Sequence, residues 1–124
     1  MRYLIFWASL LLASPVYART TTFECSLPRY SDRTGGLYQE KGGLNLTFLV
    51  DQTARKAYVL GNNGSNEVML LPNQEGFTLI EVTGTGNVMV TAITFGGVAV
   101  HSRHSMVGKN EILPSQYYGR CTAK

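Results

Sequence analysis

The stretch LNLTFLVD, residues 44–51, decides how the rest of the chain is interpreted. Every second residue from Leu44 to Val50 is apolar, and polar residues stand at most of the positions between them. TTFECSL, residues 21–27, repeats the alternation. This period of two is typical of a β-strand with one buried face and one exposed face. Both stretches are therefore predicted to be strands.

Further short runs of this kind follow along the chain: RKAYVLG, NEVMLL, GFTLIEVT, NVMVTAIT, GVAVHSRH and QYYGRC. The separators are rich in Gly and Asn, which adopt the positive φ angles of tight hairpins. Links this short leave no room for crossover helices, so neighbouring strands should be antiparallel. We predict an all-β fold, an antiparallel meander of about eight strands that forms a small barrel or a two-sheet sandwich.

The first eighteen residues, MRYLIFWASLLLASPVYA, have the organisation of a secretory signal peptide. Arg2 precedes an apolar core, and Pro15 and the small residue Ala18 follow it. An apolar core of about 11 residues is too short to span a bilayer, which needs roughly 20. We predict a signal peptide over 1–18, one all-β domain over 19–124, and a periplasmic or secreted protein without a membrane anchor.

The charges exclude one class of partner. After removal of Arg2 the chain carries ten Lys or Arg residues against eight Asp or Glu residues. The basic residues are dispersed, and Arg55–Lys56 is the one adjacent pair. A nucleic-acid-binding protein is expected to show a basic cluster or stripe. We therefore expect no nucleic-acid partner.

Cys25 and Cys121 are the two cysteines, and they lie near opposite ends of the mature chain. In an exported protein an even number of cysteines indicates a disulfide. A redox-active pair usually has the Cys-x-x-Cys spacing instead. We predict a structural disulfide that joins the first and last strands and contributes roughly 4–5 kcal/mol through the loop that it closes.

The stretch VAVHSRHSMVGKNEILPSQYYGRC, residues 98–121, holds both histidines. If Val98 and Val100 face the core, alternation carries His104 inward near the end of the strand. A hydrogen-bonded structural role for His104 is one interpretation. The other is a small polar pocket for a ligand or a partner's side chain, formed by Ser102, His104, Gln116 and Tyr117.

The same alternation places other side chains of this stretch outside. Tyr118 and Arg120 would face outward in the last strand, and His101 and Arg103 in the strand before it. If those two strands are neighbours, the four residues form one exposed surface, and exposed aromatic and arginine side chains are common interface anchors. This surface is our first candidate binding surface.

Residues 28–43, PRYSDRTGGLYQEKGG, form a link rich in glycine. Loops longer than about 12–15 residues are uncommon in compact domains and are often functional or disordered. If the link is ordered, Tyr30, Arg33 and Tyr38 make it a second candidate contact surface.

Catalysis and metal binding have weaker support. His101 and His104 are three residues apart, so on a strand they point to opposite faces, and a zinc site needs three or four ligands. Ser102 and His104 share a face, but no nucleophile elbow and no orienting acid accompany them. We predict that the protein is not an enzyme and carries no cofactor or metal.

The C-terminal stretch VHSRH…PSQYYGRC, with the early FEC and the FLVD strand, resembles a family of small exported bacterial proteins of uncharacterised function. The resemblance covers nearly the whole mature chain and implies export. It brings no activity and no functional residues with it.

In architecture the predicted chain is also similar to the small periplasmic inhibitors of C-type lysozyme, which are eight-stranded barrels with a cysteine near each end. Those inhibitors carry a Ser-Gly-x-x-Tyr segment that enters the target's active site. GSNEVM and SDRTGGLY do not fit this pattern. The likeness therefore implies the barrel and not the inhibition.

Together these features predict an exported, non-catalytic binding protein whose partner is a protein or a small ligand in the envelope. The alternative is a structural or assembly factor of the envelope. A hydrolase or metal-binding protein using His101 and His104 is the third hypothesis.

Overall fold

A computed structural model describes residues 19–124. The predicted signal peptide lies outside the described residues. The described residues form eight β-strands: β1 (Thr20–Asp32), β2 (Leu37–Asp51), β3 (Lys56–Gly61), β4 (Gly64–Pro72), β5 (Gly76–Val82), β6 (Val88–Thr94), β7 (Val98–Gly108) and β8 (Glu111–Ala123). Each strand pairs antiparallel with the next, and β8 pairs with β1, so the sheet closes into a barrel. The predicted all-β meander is confirmed, and closure selects the barrel over the sandwich.

The predicted disulfide is also confirmed, and it lies at the seam where the barrel closes. Cys25 of β1 and Cys121 of β8 are register partners in this antiparallel pair, and their sulfur atoms are bonded. Their Cα atoms are 3.9 Å apart. The bond therefore joins the first and last strands directly, and it is consistent with an oxidising compartment.

The alternating residues that suggested strands form the core of the barrel. Phe48 and Val50 of β2 are buried with Leu27 of β1, as the period of two predicts. The other strands add buried side chains to the same cluster, among them Ala57, Val68, Phe77, Leu79, Ile93 and Ala99.

The seam between β1 and β8 is too narrow for a side chain at Gly119. A Cβ atom built at this position would lie 2.0 Å from the carbonyl oxygen of Ser26 and 2.6 Å from the Cα atom of Leu27. The pairing of β1 with β8 changes register between Ser26 and Arg29, and Pro28, which has no N–H to donate, lies in this irregular stretch. Glycine at 119 allows the two backbones to approach here.

Residues 28–43 do not form a long loop, so that prediction is wrong. β1 continues to Asp32 and β2 begins at Leu37, which leaves residues 33–36 as the turn of a hairpin. The glycine content of this stretch had suggested a loop, but Gly42 and Gly43, both with positive φ, lie inside β2. There they accommodate extra residues in β2 opposite the register shift of β1.

Two hairpins extend past a neighbouring strand at one end of the barrel, which we call the hairpin end. In the β1–β2 hairpin, β2 pairs with β3 only from Thr47 onward. The pairing of β1 with β8 stops at Asp32 and Ser115, and that of β6 with β7 stops at Val88 and His104. β7 and β8 continue to pair with each other up to Gly108. Residues 105–113 are therefore a two-stranded ribbon.

Within residues 19–124, no helix is long and apolar enough to cross a membrane.

Candidate functional site

The inner face of the barrel changes from apolar to polar toward the hairpin end. Phe77 and Ile93 are partners in a buried apolar row. The next row on this face, two residues closer to the hairpin end, contains apolar, polar and aromatic side chains, and we call it the mixed row. Each of its members is the cross-strand partner of the next: Leu79, Thr91, His101, Tyr117, Tyr30 and Tyr38. The next row on the same face includes Glu81, Arg103 and Asp32. Polar and aromatic groups thus collect where the barrel meets solvent.

Three tyrosines of the mixed row form a continuous stack, which we call the tyrosine stack: Tyr38, Tyr30 and Tyr117. The ring of Tyr30 lies 5.5 Å from each neighbouring ring, centroid to centroid, at interplanar angles of 35° to Tyr38 and 30° to Tyr117. Strand pairing places directly opposed side chains this close, and offset stacking is favourable for aromatic rings. Tyr117 is buried whereas Tyr38 is 41% exposed, so the stack leads from the core to solvent.

Arg103 is fixed against the buried end of this stack. Its Nε donates a hydrogen bond to Oγ of Ser115 at 3.0 Å, and its Nη2 donates one to the hydroxyl of Tyr117 at 3.2 Å. Its Cζ lies 5.4 Å from the centroid of the Tyr117 ring, within the range of a cation–π interaction. Arg103 as a whole is half-buried, and these contacts orient its guanidinium.

His101 is a neutral member of the mixed row. It is 3% exposed, and its Nδ1 lies 2.7 Å from Oγ1 of Thr91, a hydrogen bond between two buried side chains. Burial and, to a smaller extent, the positive charge of Arg103 together lower the pKa of His101 from 6.5 to about 4. The imidazole is therefore uncharged at neutral pH.

The turn of the β1–β2 hairpin is ordered by its own side chains. Asp32 accepts hydrogen bonds from the backbone N–H and the hydroxyl of Thr34, and these bonds lower the pKa of the Asp32 carboxyl. The hydroxyl of Tyr38 donates to Oγ1 of Thr34 at 2.6 Å. Arg33 and Glu111 form an exposed ion pair, 3.1 Å from Nη1 to Oε1, that links the two long hairpins.

A cleft of about 500 Å³ lies between the ends of β1, β7 and β8. We call it the mouth cleft, and its lining residues are Tyr30, Asp32, Arg33, Arg103, Ser105, Val107, Leu113, Pro114, Ser115 and Tyr117. Small-molecule sites commonly have volumes of about 300–1,000 Å³ and combine apolar walls with a few polar groups. The mouth cleft has this size and this composition.

The predicted outward surface of His101, Arg103, Tyr118 and Arg120 is wrong for two of its members. His101 is buried and Arg103 lies on the inner face, whereas Tyr118 and Arg120 lie on the outer face as expected. In β7 the buried residue is Ala99, and Val98 is 50% exposed. Because the run Val-Ala-Val is apolar on both faces, the pairing register, rather than hydrophobicity, fixes which side faces inward.

The four residues of the predicted pocket lie on two different faces of the sheet, because the face of β7 that points inward is the opposite of the one predicted. Ser102, His104 and Gln116 lie together, but on the outer face, while Tyr117 faces the core. Gln116 donates through Nε2 to Oγ of Ser102 at 3.0 Å and accepts from the hydroxyl of Tyr118 at 2.6 Å. A shallow groove of about 230 Å³ beside them includes His104. The inward placement of Ser102 and His104 was therefore wrong.

The predicted loop residues Tyr30, Arg33 and Tyr38 do come together, in a hairpin rather than a loop. Two of them belong to the tyrosine stack, and Arg33 lines the mouth cleft. Sequence reasoning did not select Ser115, which holds Arg103, or Thr91, which holds His101. The pairing register would have identified both residues. Ser115 of β8 is the direct strand partner of Arg103, and Thr91 of β6 is the direct strand partner of His101.

The structure places the two histidines on opposite faces of β7, as the strand geometry predicted. Ser102 and His104 share the outer face. In the described part of the chain, no group of three or more His, Cys, Asp or Glu side chains is arranged to hold a metal ion.

Comparisons of the chain with protein-family models, with curated proteins and with solved structures returned no match. The site is therefore interpreted from its own geometry.

Proposed function

We propose that the protein is an exported, non-catalytic binding protein whose ligand or partner occupies the mouth cleft. The observation that carries this proposal is the tyrosine stack, which presents aromatic surface from the core to solvent beside a cleft of about 500 Å³. The exposed end of the stack, Tyr38, is 41% exposed. Tyrosine and arginine are the residue types most often found at the energetic centres of interfaces.

The order of the site also supports binding. Hydrogen bonds hold Arg103 and Tyr38 in place before any ligand arrives. A site whose side chains are already ordered loses less conformational entropy when it binds. The ordered side chains of Arg103 and Tyr38 therefore support a binding site that is already formed in the free protein.

Export is the second part of the proposal. The signal-peptide pattern of residues 1–18 and the disulfide support delivery to the periplasm or the exterior. The intact mass of the protein recovered after export tests this directly. It should correspond to a chain that begins at Arg19 and has lost two hydrogens at the disulfide. A mass that retains residues 1–18 would contradict the proposal.

Photocrosslinking tests whether a ligand or partner contacts the exposed end of the tyrosine stack, Tyr38, beside the mouth cleft. p-Benzoylphenylalanine replaces Tyr38 in one variant and Tyr58 in the matched control. Tyr58 is a half-buried tyrosine of β3, on the outer face of the barrel. Irradiation of cells that export each variant should give a covalent adduct at position 38 and not at position 58, and the mass of the adduct separates a protein partner from a small ligand.

Adducts of equal yield at both positions would indicate nonspecific contact and would contradict the proposal. The absence of adducts at position 38, in a variant whose circular dichroism and melting temperature match those of the parent, would contradict it as well.

One observation favours a second candidate, an envelope structural or assembly factor. The ribbon of residues 105–113 carries exposed apolar side chains, with Met106 66% and Ile112 56% exposed. Exposed edges and apolar side chains on a ribbon are suited to pairing with another chain. Under this proposal Met106→Thr with Ile112→Thr abolishes assembly and leaves adduct formation at position 38 unchanged. Unchanged assembly in that variant would contradict it.

A further inference from the structure

The environment of Arg103 is unusual for a half-buried cation. Two side chains, Ser115 and Tyr117, fix the orientation of its guanidinium, and both are neutral. Among the described residues, Arg103 takes part in none of the three ion pairs. A guanidinium has five N–H donors, and these bonds use Nε and Nη2. Both N–H groups of Nη1 and the second N–H of Nη2 remain for an acceptor that the described residues do not supply.

Neither Asp32 nor Glu111 forms an ion pair with Arg103. Asp32 lines the mouth cleft, but its Oδ1 accepts from the backbone and the hydroxyl of Thr34. Glu111 is paired with Arg33. The charge of Arg103 also reaches the interior, since it contributes to the lowered pKa of His101. A cation taken partly out of water without a counterion is costly, and an anion that enters the cleft would offset that cost.

The walls of the mouth cleft indicate what the rest of the ligand resembles. The stacked rings of Tyr30 and Tyr117 line it on one side, and Leu113 and Val107 add apolar surface. Tyr38 and Tyr117 cover the two faces of the Tyr30 ring, so a ligand's aromatic ring would meet ring edges, and edge-to-face contacts between aromatic rings are favourable. The planar fork of arginine matches the two oxygens of a carboxylate better than the point charge of a lysine does.

We propose that the mouth cleft binds a small aromatic carboxylate, with Arg103 recognising the carboxylate and the rings of Tyr30 and Tyr117 contacting the aromatic body. The inference rests on the proposed function and deepens it, because it names the chemistry of the ligand. The volume of the cleft, about 500 Å³, suits a molecule of this size.

The test uses a matched pair of probes, 4-hydroxyphenylacetate and its amide, titrated into the oxidised mature protein labelled with ¹⁵N. The acid should shift the backbone amide signals of Tyr30, Arg103 and Tyr117. The amide should bind at least about tenfold more weakly, because hydrogen bonds to a charged acceptor are the stronger ones. Raising the salt concentration should weaken binding of the acid only.

Two substitutions assign the effect to one residue. Arg103→Gln should remove the preference for the acid over the amide. Arg103→Lys should restore part of the difference, since it keeps the charge and loses the fork. Arg120→Gln is the control, because Arg120 is an exposed arginine of β8 on the outer face, bonded to the carbonyl of Gly96. Melting temperatures establish that each variant is folded.

Equal affinity for the acid and the amide at the mouth cleft would overturn the carboxylate inference and leave the proposed binding function standing. Shifts confined to other surfaces would overturn the inference too, and the crosslink at position 38 would then decide the binding function separately. A short peptide ending in phenylalanine, as free acid and as amide, forms the second arm. Tighter binding of its free acid, lost in Arg103→Gln, would support the recognition and assign the carboxylate to a polypeptide C-terminus.

Discussion

Acidification from pH 7 to pH 5 should destabilise the folded protein through His101. In the barrel its ring is 3% exposed and bonded to Thr91, and burial together with the charge of Arg103 lowers its pKa from 6.5 to about 4. Below pH 6.5 the unfolded chain therefore binds a proton that the folded chain does not bind until about pH 4. This contribution to stability is complete above pH 6.5 and is lost progressively as the pH falls.

The magnitude follows from the two pKa values. Linkage gives a loss of about 2 kcal/mol between pH 7 and pH 5, and of about 3 kcal/mol by pH 4. Both are upper values, because the ring lies one row from the open hairpin end, where solvent screens charge. Protonation of Asp32 does not contribute to the change between pH 7 and pH 5. The pKa of its carboxyl is lowered in the folded state, so the stability that the Asp32 carboxylate contributes is lost only at more acidic pH.

The assay is equilibrium urea unfolding followed by circular dichroism at pH 7, 6 and 5, with the disulfide intact. His101→Gln supplies the reference, since it removes the titrating group, and its stability should change far less over this range. His104→Gln is the matched control on the exposed face and should keep the pH dependence attributed to His101. The reasoning is refuted if the stability of the parent changes by less than about 0.5 kcal/mol, or if His101→Gln retains the full slope.

Three further changes have expected outcomes, each measured by urea unfolding at pH 7. Replacing Cys25 and Cys121 by alanine should cost about 4–5 kcal/mol, because the disulfide spans 96 residues, and a loss below 1 kcal/mol would contradict the loop-closure argument. Gly119→Ala should cost at least about 1–3 kcal/mol through its clash with the β1 backbone, whereas Gly84→Ala, with nothing within 4 Å of the added Cβ, should cost clearly less. Arg33→Gln should change stability by less than about 1 kcal/mol, since its ion pair is exposed; a larger loss would give that link between the hairpins a structural role.

The sequence alone was sufficient for the number of strands, their antiparallel order and the disulfide, but not for the extents of β1 and β2. Each of these depends on information that is local or unique. The alternation in residues 44–51 shows in one segment which face is buried, and the Gly and Asn separators specify turns without reference to the rest of the chain. Two cysteines allow one intramolecular pairing, so Cys25 and Cys121 could be joined without knowledge of the fold.

The tertiary structure decided which face of β7 lies inside and where the site is. Val98 and Val100 are as apolar as Ala99, so the local pattern favoured the wrong side, and His101 and Arg103 were placed outside. Pairing with β6 and β8 set the register of β7 instead. A shift of one residue moves every side chain of a strand to the opposite face.

The tyrosine stack and the mouth cleft depend on the same long-range pairing. Tyr30 meets Tyr117 only because the first strand closes onto the last, and no local signal encodes a contact across 87 residues of chain. The sequence by itself determined an antiparallel meander of about eight strands whose ends are joined by a disulfide. Barrel closure then determined its candidate site, because strand register is fixed by partners that are remote in the sequence.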